Sequence, residues 1–381
     1  MGLFLFYLIL ARLLRLAKVV LSAILMYMSL SIGIVGLPNV GKSTLFNLLT
    51  KKGVDAANYP FCTIEPNVGI VKVPDFRLDR LAFVSKPLKV IPTTIEFVDI
   101  AGLVAGASKG EGLGNKFLAH IRECDAICEV IRDFKDKNII HVDGRIDPNS
   151  DQETINMELI FADLATIEKR LDRTRRDSKS GDKQLIYFTQ ILEIIYKQLA
   201  DGKPVRDLEF NEEDQVFVKT LNLLTIKPIL YLLNVDEAHD EGFALNTKNK
   251  LIKINVKLEE EIANLEPEEQ AEYINELGLK ESGLDRLIRS AYELLGLDTF
   301  FTTGADETRA WTIKKGTKAP QAAGVIHTDF IKGFVRAEVI QWDKFEECGS
   351  DAKARELGLI RTEGKDYIVV DGDVCNFLIN R

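Results

Sequence analysis

Cysteine is scarce and unpaired in this 381-residue chain. Its five cysteines, Cys62, Cys124, Cys128, Cys348 and Cys375, show no repeated ligand spacing, which excludes a zinc ribbon and a disulfide-stapled scaffold. Cys124 and Cys128 stand close together, but no second pair or histidine follows them, and they read as buried thiols. Positive charge is also in deficit: a net charge of −9 excludes a surface that coats nucleic acid throughout, though not a local basic patch. A membrane-spanning run is missing too. Residues 2–11 and 19–28 are apolar, but Arg12, Arg15 and Lys18 lie between them, and each would cost about 2.5–3.5 kcal/mol at a bilayer centre. Translation is expected to start at Met28, which makes residues 1–28 an apolar extension from a misassigned start. The alternative is an interfacial helix with those three cations in one stripe, and only then is membrane contact expected. A cytoplasmic protein is the expectation.

What is present is a phosphate-binding loop. Gly36-Leu-Pro-Asn39-Val40-Gly41-Lys42-Ser43-Thr44 follows the apolar run 32–35 and precedes an apolar stretch of helical character, 45–49. Strand, glycine-rich turn and helix N-terminus are the context in which backbone N–H groups converge on one anion. Lys42 can bridge the β- and γ-phosphates, and the Ser43 hydroxyl can hold Mg²⁺. Asp99-Ile-Ala-Gly102 ends another apolar run, 95–100. There the carboxylate reaches Mg²⁺ through water and the Gly102 N–H donates to the γ-phosphate. Thr63, between these elements, is the candidate second hydroxyl ligand. Glycines lace residues 102–115 into a segment that can rearrange with the γ-phosphate.

The base-reading element departs from the GTPase pattern Asn-Lys-x-Asp. Here it is Asn234-Val235-Asp236-Glu237. Valine replaces the lysine that packs over the base, and a glutamate stands where an aspartate would accept both guanine donors. Poorly paired guanine donors in a dry pocket cost about 1–3 kcal/mol each, so ATP is favoured over GTP. Asp236 comes one residue early and would need a shifted loop to substitute. Leu103 stands where many small GTPases orient water with glutamine, so slow hydrolysis is expected. Asn39 can add an oxygen ligand for K⁺ beside the phosphates.

Runs at 32–35, 95–100, 126–131, 228–234 and 251–255 read as strands of a mostly parallel, doubly wound α/β sheet. Apolar residues at three- and four-residue steps, Met157 to Leu171 and Leu185 to Leu199, read as two antiparallel helices inserted at 147–220. Between them, residues 169–183 carry seven Lys/Arg against three Asp, a solvated tip or a possible RNA contact. The organisation is then 29–146 and 221–298 for the NTPase domain, 147–220 for the hairpin and 299–381 for a small α+β module. Strands are expected there at 309–313, 335–341 and 366–370.

Together these elements resemble the Obg-like ATPases of the YchF subfamily, in the translation-factor class of P-loop GTPases. The matching stretches are residues 33–44, 58–67, 97–104, 106–115, 138–142 and 234–237, then 309–316, 319–329 and 364–370. The resemblance implies an OBG-type G domain, a coiled-coil insert and a β-grasp TGS domain. It also implies a slow Mg²⁺-dependent ATPase that accepts GTP less selectively, associates with ribosomes through the large subunit and regulates translation or a stress response. A catalytic histidine of the family falls on His141, and base contacts fall on Asn234 and Val235. Asn255-Val256-Lys257 replaces a Ser-Ala-Lys loop common in such proteins. A GTP-selective switch and a nucleotide-gated scaffold are the competing readings.

Overall fold

The computed structural model describes residues 30–53, 67–100, 113–136, 145–236, 245 and 247–380. Along the described residues run β1 (Ser31–Val35), β2 (Val68–Lys72), β3 (Lys89–Ile91), β4 (Thr94–Asp99), β5 (Ala126–Asp133) and β6 (Ile229–Val235). They are followed by β7 (Leu251–Ile254), β8 (Leu297–Thr302), β9 (Glu307–Lys314), β10 (Phe334–Gln341), β11 (Arg361–Glu363) and β12 (Asp373–Ile379). Two sheets result, ordered β2-β4-β1-β5-β6-β7 and β11-β10-β12-β8-β9-β3. The chain divides into two units, one holding Ser31–Val71 and Ile95–Leu295, the other Lys72–Thr94 and Gly296–Arg381.

In the first unit β1 pairs in parallel with β4 and β5, β5 with β6, and β6 with β7. Every residue of β6 is buried, as is β5 up to Arg132, because helices cover both faces of such a sheet. That is why these strands are legible as unbroken apolar runs. With β4 on one side of β1 and β5 on the other, the carboxyl end of β1 opens at the point where strand order reverses, where α/β sheets bind ligands. The helix Lys42–Lys51 starts there and buries Leu45, Phe46, Leu48 and Leu49.

The insert is a helical hairpin, Pro148–Asp177 and Lys183–Ala200. Asp147 and Asp182 cap the two helices by accepting backbone N–H groups, filling acceptor needs that a helix start leaves open. Ile160, Ile167 and Leu171 pack against Ile191, Leu192, Ile195 and Leu199. Gly181, at φ 82°, supplies the left-handed residue that turns the chain between them. The hairpin is fastened at its base by Asp163, which is fully buried and accepts from the Leu224 N–H (2.9 Å), the Thr225 N–H (2.7 Å) and the Thr225 hydroxyl (2.7 Å). At the far end Arg173 and Arg175 are exposed and pair with Asp177 and Glu193.

The second unit is a mixed sheet. β8 and β9 are antiparallel, β12 is parallel to β8, and β10 is antiparallel to β12. The helix Ala319–Ile326 lays Ala319, Ala322 and Ala323 against Phe300, Ile313 and Val339. Residues 72–94, which the sequence reading left in the NTPase domain, belong to this unit. They supply β3, parallel to β9, and a helix, Phe76–Ser85, whose Leu78 and Leu81 join Phe301, Ala310 and Ile340. Arg77 holds Asp75 and Asp371 at 2.8 and 2.5 Å. A second difference concerns 366–370, which is not a strand. Only Ile368 forms an isolated antiparallel bridge, to Lys318, while the Tyr367 hydroxyl and the Val370 N–H both donate to Asp373 (2.7 and 3.0 Å), and the next strand begins at Asp373. Among the described residues no helix is long and apolar enough to cross a membrane.

Candidate functional site

At the end of β1 the chain turns through Asn39, at φ 63°, and Gly41, at φ 101°. Left-handed backbone at both positions curls the loop so that the helix Lys42–Lys51 begins facing the cleft. Lys42 is buried, and its ammonium donates to the Leu37 carbonyl at 2.6 Å. Burial lowers the Lys42 pKa to about 8, opposed by the charge of Asp99. Asp99, half-buried at the end of β4, is pushed upward by burial and pulled back by Lys42. Lysine and carboxylate thus share one electrostatic neighbourhood, although Lys42 and Asp99 are 57 residues apart in the chain. The Ser43 side chain is exposed in the first helical turn.

The cleft beside them measures about 750 Å³ and is lined by Asn39, Gly41, Lys42, Ser43 and Thr44 on the phosphate side. Val40 is buried beneath the loop. Across the cleft Asn234 is buried and makes two bonds: its side-chain N–H donates to the Val40 carbonyl (3.0 Å), and its oxygen accepts from the Val256 N–H (3.2 Å). Val235 and the Asn255-Val256-Lys257 turn also line this end. Asn255 donates to the Asp236 carbonyl and caps the following helix at Leu258. One oxygen of the Asp236 carboxylate accepts from the Lys135 N–H at 3.0 Å, and Asp236 also lines the cleft.

Sequence reasoning missed two parts of the wall: Phe134, Lys135 and Asp136 after β5, and Leu258 with Glu260 and Glu261 in the helix after β7. Phe134 packs its ring against the Arg132 guanidinium, 4.3 Å away. An aromatic residue one step beyond a buried strand was the available signal. Thr63, Gly102, His141 and Glu237 lie outside the described residues, as do Cys62, Leu103 and the apolar extension. The four described cysteines are buried free thiols.

The donor set fits a magnesium-bound triphosphate. Ser43 and Asp99 offer hard oxygen atoms, as Mg²⁺ requires, beside a buried cation and a helix start.

A model described as 50S ribosome-binding GTPase matches residues 31–163. A C-terminal model of YchF GTPases, described as a protein of unknown function, matches 297–380. The chain is 53% identical over 365 residues to the ribosome-binding ATPase YchF of Bacillus subtilis, covering 93% of this chain and all of that one. To the protein of the same name from Escherichia coli O157:H7 it is 51% identical, with the same coverage. The solved YchF GTPase of Schizosaccharomyces pombe superposes with a TM-score of 0.83 at 38% identity, covering 92% of this chain and 98% of that one.

Proposed function

The chain belongs to the YchF family of P-loop NTPases, and from that premise we propose that it binds and slowly hydrolyses ATP with Mg²⁺ and acts on ribosomes. The observation that carries the reading is the meeting of Lys42 and Asn234 around one cleft, with the charge of Asp99 acting on Lys42. The loop amides and Lys42 hold the triphosphate, Ser43 and Thr63 are the proposed hydroxyl ligands of Mg²⁺, and Asp99 holds it through water. A magnesium ion held there would supply charge to offset the phosphates. Water attacks the γ-phosphoryl group in line, with Gly102 donating to its oxygens and His141 in the catalytic role the family suggests. Protein groups contribute position and charge rather than covalent chemistry.

Base choice rests on Asn234, Val235 and Glu237. Adenine, which has no N1–H donor, suffers less than guanine from the longer acid. A GTP-selective switch is the second reading, supported by the GTPase model that matches residues 31–163. Competition of ATP and GTP for one site, repeated with Glu237→Asp, separates the two. Equal capture of both, or preference for GTP in the parent protein, overturns the adenine assignment. Asn39 is proposed to add a K⁺ ligand; unchanged potassium stimulation in Asn39→Ala removes it.

The second unit is proposed to be a TGS domain of β-grasp type. Support comes from its β8–β9 hairpin, the helix over the sheet and β12 parallel to β8. The hairpin tip is proposed to meet rRNA of the large subunit, and the compartment to be the cytoplasm. Sedimentation with ribosomes in ATP, ADP and GTP tests the partner, and absence of co-sedimentation in all three sinks it.

A further inference from the structure

Directly behind the P-loop, the first sheet carries a carboxyl group that nucleotide chemistry does not use. Glu129 of β5 lies in register with Val35 of β1 on one side and Tyr231 of β6 on the other, and is fully buried. Neither of its oxygens has a hydrogen-bond partner among the described residues. Nearby, the short turn Val205–Asp207 follows the second hairpin helix and carries Arg206. The Arg206 Nε donates to the Lys227 carbonyl at 3.1 Å, while its Nη2 is buried and also lacks a partner among the described residues.

The two orphans are complementary. One is an acceptor without a donor, the other a donor without an acceptor, and each feels the other's charge. Buried polar groups left unmet cost free energy, so a native fold keeps them only where something uses them. Among the described residues Arg206 is the only cation whose charge acts on Glu129. Asp151 faces it from the first hairpin helix and Tyr231 from β6, while Tyr231, Asp163 and Asp207 surround Arg206. The Tyr231 hydroxyl is engaged by Asn156 at 3.2 Å.

Their positions join two working parts. The residue after Glu129 is Val130, whose carbonyl would lie 2.5 Å from a side chain at Gly36, so β5 forms the floor on which the P-loop begins. Arg206 rides on the return from the hairpin, where the Arg206 N–H donates to the Thr225 carbonyl (3.0 Å) and Thr225 in turn is held by Asp163. A packed interface of this kind switches between discrete arrangements rather than deforming smoothly.

We propose that the hairpin base has a second seating in which the Arg206 Nη2 donates to Glu129, and that this pair ties the attitude of the hairpin to the strand beneath the P-loop. In the observed seating burial raises the Glu129 pKa, whereas the closed pair sets a carboxylate against guanidinium, so closing it favours release of the carboxyl proton to solvent. Alkaline conditions therefore favour the second seating, whichever nucleotide the cleft prefers.

The test is a double-mutant cycle read by hydrogen exchange over residues 202–208 of the full-length protein, without nucleotide, at pH 6 and pH 9. Rates are corrected for intrinsic exchange. Wild type, Glu129→Gln, Arg206→Met and the double variant are compared. At pH 9 wild-type protection should exceed that of both single variants by about fivefold, with the double variant no worse than either. At pH 6 all four should agree within about twofold. Additive effects at both pH values overturn the proposal. Should Arg206→Met unfold the hairpin, Glu129→Gln alone decides: the pH-dependent protection must vanish while circular dichroism is unchanged, and its persistence overturns the pair.

Discussion

Asn234 donates its side-chain amide to the Val40 carbonyl at 3.0 Å and so fastens the end of β6 to the phosphate loop that follows β1. The same side chain accepts from the Val256 N–H. One residue thereby joins the phosphate end of the cleft to the turn that walls its base end.

Replacing Asn234 with Ala removes both bonds from a buried setting. At about 1 kcal/mol for each bond, nucleotide affinity should fall roughly 10- to 30-fold. Titration with fluorescent ATP measures it. Unchanged affinity would show that the loop is positioned without this link.

Gly41 has a separate reason to be glycine. Its φ of 101° is strained for any other residue, and an added Cβ would lie 2.6 Å from the Asn234 Nδ2. Gly41→Ala is expected to cost about 1–3 kcal/mol of stability and to abolish tight nucleotide binding. Urea unfolding and the same titration check the two effects. A variant that binds normally would refute the close packing.

Asp163 anchors the hairpin by accepting three hydrogen bonds in a buried site. Asp163→Ala leaves three donors unmet, and a loss of about 3–5 kcal/mol is expected. Exchange protection should collapse first at 221–226 and at the hairpin base. Uniform destabilisation of both units would contradict a local anchor.

Burial raises the Cys124 thiol pKa to about 11 and the Cys128 thiol pKa to about 12. A thiolate forms only as pH rises past the pKa, so at pH 8 well under about 1% of either is reactive. Alkylation mapped by peptide mass should therefore leave both unlabelled in the folded protein and label both in denaturant. Rapid labelling at pH 8 would place them nearer solvent.

The P-loop was legible because its chemistry is local. Gly36 to Thr44 are contiguous, and the need for left-handed backbone and a helix start is written in neighbouring residues. The buried strands were legible for a similar reason, since β5 and β6 are covered on both faces and must be apolar throughout. The hairpin followed from a helical repeat whose positions Ile160, Ile167, Leu192 and Ile195 do form its core. At 366–370 the apolar run yields only a single bridge, Ile368 to Lys318, because Asp373 draws in the Tyr367 hydroxyl and the Val370 N–H through contacts that no local pattern displays.

The order of residues by itself determined the phosphate loop, the strands of its sheet and the helical insert, because each depends on side chains a few positions apart. Tertiary structure alone decided that residues 72–94 join the carboxyl-terminal sheet, that Asp236 accepts from the Lys135 N–H, and that the Glu129 carboxyl oxygens and the Arg206 Nη2 are buried without partners among the described residues. Those outcomes depend on which distant segments exclude water together. Burial of that kind belongs to the folded neighbourhood rather than to any stretch of chain.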